Sequence, residues 1–152
     1  MAPEVLHRVI YGWDQVGVDP AKTLLAAALT ITPALLHDFC RHRVRHADYP
    51  GIIKEPGHSV KGTYVTGLTD GDIYRLDFFE GDEYTREWVE VEVEILGKGR
   101  KEKAEAYVYT AGDDQLEKVE WDYDDFRKKK LKNWVGGSRE FDGMFPIHFW
   151  RI

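Results

Sequence analysis

The feature that most constrains the fold is an alternating segment over residues 87–95. Side chains on a β-strand point to opposite faces in turn, so such a segment predicts a strand with one face against a core and one in water. A strand that is wet on one side is typical of an antiparallel sheet or a barrel wall. The charged set is then a solvated face and not a catalytic carboxylate pair. The two sets are Val89, Val91, Val93 and Ile95 on one face, and Trp88, Glu90, Glu92 and Glu94 on the other.

Further strands and turns surround this segment. Residues 97–101, which contain Gly97 and Gly99, predict a hairpin turn, and residues 104–110 alternate as its partner strand. Residues 59–66 alternate in the same way, whereas residues 30–32 favour a strand that Pro33 interrupts. Residues 34–44 fit both a helical spacing and a strand alternation. The acidic stretch over residues 111–120 is predicted to be a loop.

Helices are predicted near both ends of the chain. A first helix ends at Gly12, and its apolar stripe is Val5, Leu6, Val9 and Ile10; an alanine-rich helix covers residues 21–28. A later helix is predicted over residues 122–135, with acidic residues first and lysines last, as the helix dipole favours. The aromatic tail over residues 138–152 is expected to dock on the body or on a partner.

A short helix is also predicted directly before the alternating strand, over residues 72–80. Thr69 or Asp70 is a suitable N-cap, and Asp72 suits the first turn, where backbone N–H groups favour a negative charge. Gly81 is expected to end the helix because a left-handed C-cap costs glycine least.

The apolar stripe of this helix ends in a carboxylate. Ile73, Leu76 and Glu80 have the i, i+3, i+7 spacing, so Glu80 occupies a core position at the C-terminus of the helix. Burial and the negative end of the dipole both predict a raised pKa for Glu80, which suits a group that exchanges protons near neutral pH. The alternatives are that Glu80 turns into solvent or pairs with Arg75 or Arg86.

The segment LDFFEGDEYTR, residues 76–86, resembles the LDxxEG…Y.R segment of the gamma-glutamylcyclotransferase-like family. That family includes the plant avirulence-induced-gene-like proteins and their fungal relatives. The glutamate of this segment is the family's general acid/base, and Glu80 aligns with it. Residues 48–53 and 104–110 resemble two weaker family segments, in the expected order.

The resemblance covers residues 1 to about 135 and implies one domain over residues 1–152. It makes residues 34–44 a strand and implies an α+β fold, a small mixed barrel or partly closed sheet of about five or six strands with surrounding helices. The segment MAPEVLHRVIYG resembles the family's helix that comes directly after a first strand and its YGTL loop. We therefore expect that strand and loop to be missing from the chain as given.

By this resemblance, the chain cyclises a gamma-glutamyl amine or peptide to 5-oxoproline and a free amine, with Glu80 as general acid/base. The alternative is a binding or interaction module that keeps the cavity without catalysis. The resemblance also suggests five substrate-binding residues. The alternative for each is an ordinary role in aromatic packing or at the surface. The five residues are Tyr49, Tyr84, Arg86, Tyr107 and Tyr109.

Composition excludes several function classes. The net charge of −6 argues against a nucleic-acid or anionic-membrane binder, and no apolar run is long enough to span a bilayer. The single cysteine, Cys40, excludes an internal disulfide and favours the cytoplasm. His37, His42 and His46 lack a recurrent zinc-ligand spacing, so no metal is expected. No cofactor motif occurs. The expected partner is a small-molecule substrate. The chain itself is expected to be a monomer or a homodimer.

Overall fold

A computed structural model of the chain describes residues 3–12, 20–47, 49–122, 124, 128 and 150–151. Over these residues the fold is α+β, with three α-helices and five antiparallel strands, and a two-residue strand joins the same sheet. The elements are α1 (Pro3–Tyr11), α2 (Pro20–Ala27), β1 (Thr30–Val44), β2 (Pro50–Thr66), α3 (Asp70–Glu80), β3 (Tyr84–Ile95), β4 (Lys98–Tyr109), β5 (Leu116–Glu120) and β6 (Trp150–Arg151).

Two long antiparallel pairs form most of the sheet. β1 pairs with β2, and a register shift between His37 and Phe39 accommodates Asp38, whose φ is +61°. β3 pairs with β4 without interruption from Tyr84 to Ile95. The two pairs meet where β3 joins β1 at residues 34–36, and β5 pairs with β1 near Val44.

The alternation over residues 87–95 is confirmed at the centre of β3. Val91 and Val93 are fully buried, whereas Glu90, Glu92 and Glu94 are exposed. Ile95 is 42% exposed because it lies at the hairpin end of the strand, beyond the part that the core covers. The three glutamates therefore form a solvated face, as predicted.

The four long strands β1–β4 do not close into a barrel by pairing directly with one another. Among the described residues, β2 and β4 are not paired with each other directly, and only the short β6 lies between them, parallel to β2 and antiparallel to β4. The mixed α+β sheet is confirmed, but its closed-barrel form is not. No described helix has both the length and the apolar character that crossing a membrane requires.

Two local predictions are wrong. Pro33 does not interrupt β1: it is paired with Thr63 of β2, and it lies outside the pairing of β1 with β3, which begins at Ala34. The predicted acidic loop contains β5, which buries Leu116. The predicted strands over residues 59–66 and 104–110 are confirmed but extend further, as β2 and β4. The predicted helix 122–135 and the tail 138–152 lie largely outside the described residues.

The core has two parts, and one of them surrounds the end of α3. The first cluster packs α1 and α3 against the sheet and includes the four tyrosines predicted to bind substrate, Tyr49, Tyr84, Tyr107 and Tyr109. The second is aliphatic and includes Leu36, Ile52, Val91 and Val93. The first cluster therefore positions the candidate site.

Replacing Thr69 by alanine is expected to lower the free energy of unfolding by about 0.5–2 kcal/mol. Thr69 caps α3 in a capping box: its hydroxyl oxygen accepts from the Asp72 N–H, and the Asp72 carboxylate accepts from the Thr69 N–H. Urea unfolding monitored by circular dichroism measures the loss. Thr69→Ser keeps the hydroxyl oxygen and is expected to retain the stability; equal losses in both variants would contradict a capping role.

Candidate functional site

The predicted stripe of α3 faces the core and carries Glu80 with it. Ile73 and Leu76 are buried, and Glu80, the last residue of the helix, is only 3% exposed. Tyr74 and Phe78, on the opposite side of the helix, are exposed. The prediction that Glu80 is buried is confirmed, and the alternative of a carboxylate in solvent is wrong.

A tight turn after Glu80 brings β3 against the end of the helix. Gly81 has a φ of +67°, as predicted for a residue that ends a helix, and its N–H bonds back to the Asp77 carbonyl. A single 3-10 turn over residues 81–83 then leads into Tyr84. The Glu83 carbonyl accepts the Thr110 N–H at 2.8 Å, which fixes this turn to the end of β4.

Two buried tyrosines share the environment of the Glu80 carboxylate. Burial raises the pKa of Tyr84, and the charge of Glu80 raises it further. Burial, the hydrogen bond to Asp77 and the charges of Asp77 and Glu80 raise the pKa of Tyr107 in the same way. Both phenols therefore stay protonated through the neutral range and can act as hydrogen-bond donors. The Tyr84 hydroxyl donates to the Pro50 carbonyl at 2.9 Å, which ties β3 to the start of β2.

Tyr49 reaches the same region from the loop before β2. It is buried, and its hydroxyl donates to Glu83 Oε2 at 3.0 Å. Burial, followed by the bond to Glu83, raises the pKa of Tyr49. The sequence analysis did not identify Glu83 as a residue of this site, because the local sequence over residues 80–83 does not distinguish it from an ordinary exposed glutamate.

Tyr109 completes the aromatic wall. Its ring meets Tyr84 edge-on, with centroids 5.3 Å apart, and its hydroxyl oxygen is buried without a hydrogen-bond partner among the described residues. The ring also lies against Gly51: a Cβ added there would come within 2.8 Å of Tyr109 Cγ. Gly51 therefore provides space for the ring, and a hydroxyl with free donor capacity remains within the core cluster of the site.

Arg86 lies at the outer side of the site. Its Nε is 3.6 Å from Asp77 Oδ1, and its guanidinium also reaches Glu105 Oε2 at 3.6 Å. Tyr107 donates to the same Asp77 oxygen at 2.6 Å. Asp77, which the sequence reasoning did not single out, thus connects α3 to both strands of the β3–β4 pair. This network holds the helix that carries Glu80 in place.

The arrangement combines a buried carboxylate with four phenols from the ends of β2, β3 and β4. Such a carboxylate can accept and return a proton, and protonated phenols can donate to oxygen atoms of a bound molecule. The structure brings Glu80, Tyr84 and Tyr107 together and places Tyr49 and Tyr109 beside Tyr84. Their roles toward a substrate, and the cavity that the resemblance implies, stay predictions.

Comparisons with known proteins identify the family to which the chain belongs. A family model described as "Gamma-glutamyl cyclotransferase, AIG2-like" matches residues 9–128. The chain is 33% identical to Protein AIG2 C of Arabidopsis thaliana over 120 residues, which are 79% of this chain and 72% of that protein. It is 30% identical to Protein AIG2 B of the same plant, over 78% of this chain and 69% of the relative.

Two solved structures share the fold. Both are solution structures of Arabidopsis thaliana proteins. One matches with a TM-score of 0.53 and 26% identity, over 80% of this chain and 73% of the other. The second matches with a TM-score of 0.51 and 27% identity, over 70% of each chain.

Proposed function

Because the chain belongs to the gamma-glutamyl cyclotransferase, AIG2-like family, we propose that it cyclises a gamma-glutamyl amine or peptide to 5-oxoproline and a free amine. The burial of Glu80 on the core stripe of α3 is the observation that carries this proposal. A carboxylate at the family's acid/base position, held away from bulk water, is what a proton-transfer role requires.

The reaction needs one group that first accepts and then returns a proton. The free α-amine of the gamma-glutamyl group attacks the carbonyl carbon of the side-chain amide, forming the new C–N bond of the ring. Glu80 takes the proton that the attacking nitrogen loses and passes it to the leaving nitrogen as the original amide bond breaks. Glu80 ends as the carboxylate. Since attack is intramolecular, positioning supplies much of the rate.

The tyrosines act as donors and as walls in this proposal. The negative charge that develops on the carbonyl oxygen needs hydrogen-bond donors, and the buried Tyr109 hydroxyl is available for that purpose. Tyr49, Tyr84 and Tyr107 shape the pocket and stay protonated because burial raises the pKa of each. Arg86 acts as a positioning residue through Asp77. We place the reaction in the cytoplasm, where a single free cysteine is stable.

A panel of gamma-glutamyl amines and dipeptides tests the proposal. The purified chain is incubated with each compound, and 5-oxoproline and the released amine are quantified by mass spectrometry. We expect equimolar release of both products from at least one member. Binding without release would support the non-catalytic alternative. Compounds with an α-glutamyl group serve as controls, because ring closure on their side-chain carboxyl group cannot release the amine.

The specificity constant kcat/KM is expected to fall toward acid pH and to show no tyrosine-dependent loss toward alkaline pH. Protonated Glu80 cannot accept a proton, so activity is present above its pKa and decreases tenfold per pH unit below it. The raised pKa values of Tyr84 and Tyr107 keep both phenols intact beyond their ordinary pKa of about 10. A pH profile of kcat/KM measures this. An unchanged rate at acid pH would contradict a carboxylate base.

A further inference from the structure

A cluster of three metal-ligating side chains lies on β1 and β2. One ligand atom from each of Cys40, His42 and Glu55 lies within 4.8 Å of the other two. Cys40 and His42 are two residues apart on β1 and therefore share a face, and their partners on β2 are Ile53 and Gly51. Glu55 is two residues beyond Ile53, so it belongs to the same face. The pairing of two strands thus assembles a set that no spacing in the sequence indicates.

The histidine in this cluster faces the carboxylate of Glu55 directly. His42 Nε2 lies 2.7 Å from Glu55 Oε2, and the His42 side chain is 14% exposed. The other ring nitrogen, Nδ1, is buried and has no hydrogen-bond partner among the described residues. When the ring proton lies on Nδ1, the Nε2 lone pair faces Glu55, and both atoms can coordinate one ion.

We propose that Cys40, His42 and Glu55 form a binding site for a divalent transition-metal ion of the zinc or cobalt type. Thiolate, imidazole and carboxylate are ligands that Zn²⁺ accepts together, at about 2.3 Å for sulfur and roughly 2.0–2.2 Å for nitrogen and oxygen.

Two neighbouring groups add to the site. His58 Nε2 lies 3.3 Å from Glu55 Oε1, so His58 or a water molecule supplies the fourth position. Glu120 of β5 is paired with His42 of β1, so it adds a negative charge on the same face of the sheet. The expectation of no metal considered the spacing of His37, His42 and His46, and the structure instead groups His42 with residues on two strands.

Binding involves the loss of one proton from sulfur. The Cys40 thiol is uncharged when free, and coordination forms the sulfur–metal bond as the proton leaves for the solvent. Each equivalent of metal therefore releases one proton from Cys40. No electron is transferred, and no further reactant is required.

Titration of the chelator-stripped full chain with Co²⁺ tests the site. The protein is kept reduced, and the near-ultraviolet absorbance of a cobalt–thiolate bond is monitored together with thermal stability. We expect one equivalent of Co²⁺ to produce this absorbance and to raise the melting temperature, and Zn²⁺ to remove the absorbance by displacement. Cys40→Ser should abolish the absorbance, and His42→Gln should weaken binding at least about tenfold.

His37→Gln is the matched control. His37 also lies on β1 and also pairs with a glutamate, Glu92, at 3.0 Å, but the metal-ligating cluster does not include it. We expect this variant, like Glu80→Gln, to bind Co²⁺ as the unaltered chain does, so the metal site and the cyclotransferase proposal fail independently. The proposal is overturned if no cobalt–thiolate absorbance develops, or if folded Cys40→Ser retains that absorbance. It is also overturned if His37→Gln weakens Co²⁺ binding as much as His42→Gln does. Circular dichroism establishes that each variant is folded.

Discussion

Glu80→Gln is expected to lower the rate of 5-oxoproline release by about 10²- to 10⁴-fold. Glutamine has nearly the same shape but cannot accept and return a proton, so the acid/base step is lost while the packing is kept. Because Glu80 is buried at the end of α3, the variant should retain its circular dichroism spectrum and cooperative unfolding. The rate is measured by product quantification at saturating substrate.

Glu87→Gln is the control for this variant. Glu87 is an exposed glutamate of β3. Its partner on β4 is Ala106, which does not belong to the core cluster that contains the four tyrosines. The same chemical change there should leave the rate within about twofold, as is usual for surface substitutions. Turnover by Glu80→Gln at the rate of the unaltered chain would exclude Glu80 as the base.

Leu76→Ala is expected to lower the free energy of unfolding by about 2–5 kcal/mol. Leu76 is fully buried one turn before Glu80 and packs in the core cluster that contains the four tyrosines. The truncation removes apolar contacts and leaves a cavity between α3 and the sheet. Urea denaturation, with the slope of the transition checked for two-state behaviour, measures the change.

Phe78→Ala is the matched control on the same helix. Phe78 is 82% exposed, so its truncation should change the free energy of unfolding by no more than about 0.5 kcal/mol. A loss in Phe78→Ala as large as that in Leu76→Ala would mean that the two faces of α3 are assigned wrongly. Together with Glu80→Gln, these variants separate loss of chemistry from loss of fold.

The predictable part of the fold is the part in which local patterns and burial agree. The alternation around Val91 and Val93 predicts β3 because one face of the strand is dry and the other is wet. The stripe of Ile73, Leu76 and Glu80 predicts the inward face of α3 for the same reason. In both segments the sequence period directly reports which side is buried.

The parts that were missed depend on contacts between distant segments. β5 is acidic and short, and it is a strand only because β1 offers an edge beside Val44. Pro33 is accommodated because the pairing of β3 with β1 begins one residue later. Local strand propensity predicts neither feature, because both depend on pairing between strands that are far apart in the sequence.

The candidate site divides along the same line. The sequence predicts that Glu80 belongs to the site, because its helical spacing places a carboxylate on an apolar stripe. The bonds of Tyr49 to Glu83 and of Tyr107 to Asp77 join residues 34 and 30 positions apart, so only the fold reveals them. The same holds for Cys40, His42 and Glu55, which two paired strands bring together.

Isotope analysis of the products tests the central claim, that Glu80 supports ring closure, most directly. The reaction is run in water enriched in ¹⁸O with a gamma-glutamyl substrate, and the products are analysed by mass spectrometry. Ring closure by the substrate's own amine predicts 5-oxoproline without ¹⁸O, equimolar with the free amine, and about 10²- to 10⁴-fold slower formation of both by Glu80→Gln. Release of ¹⁸O-labelled glutamate, or an undiminished yield from Glu80→Gln, would contradict the account.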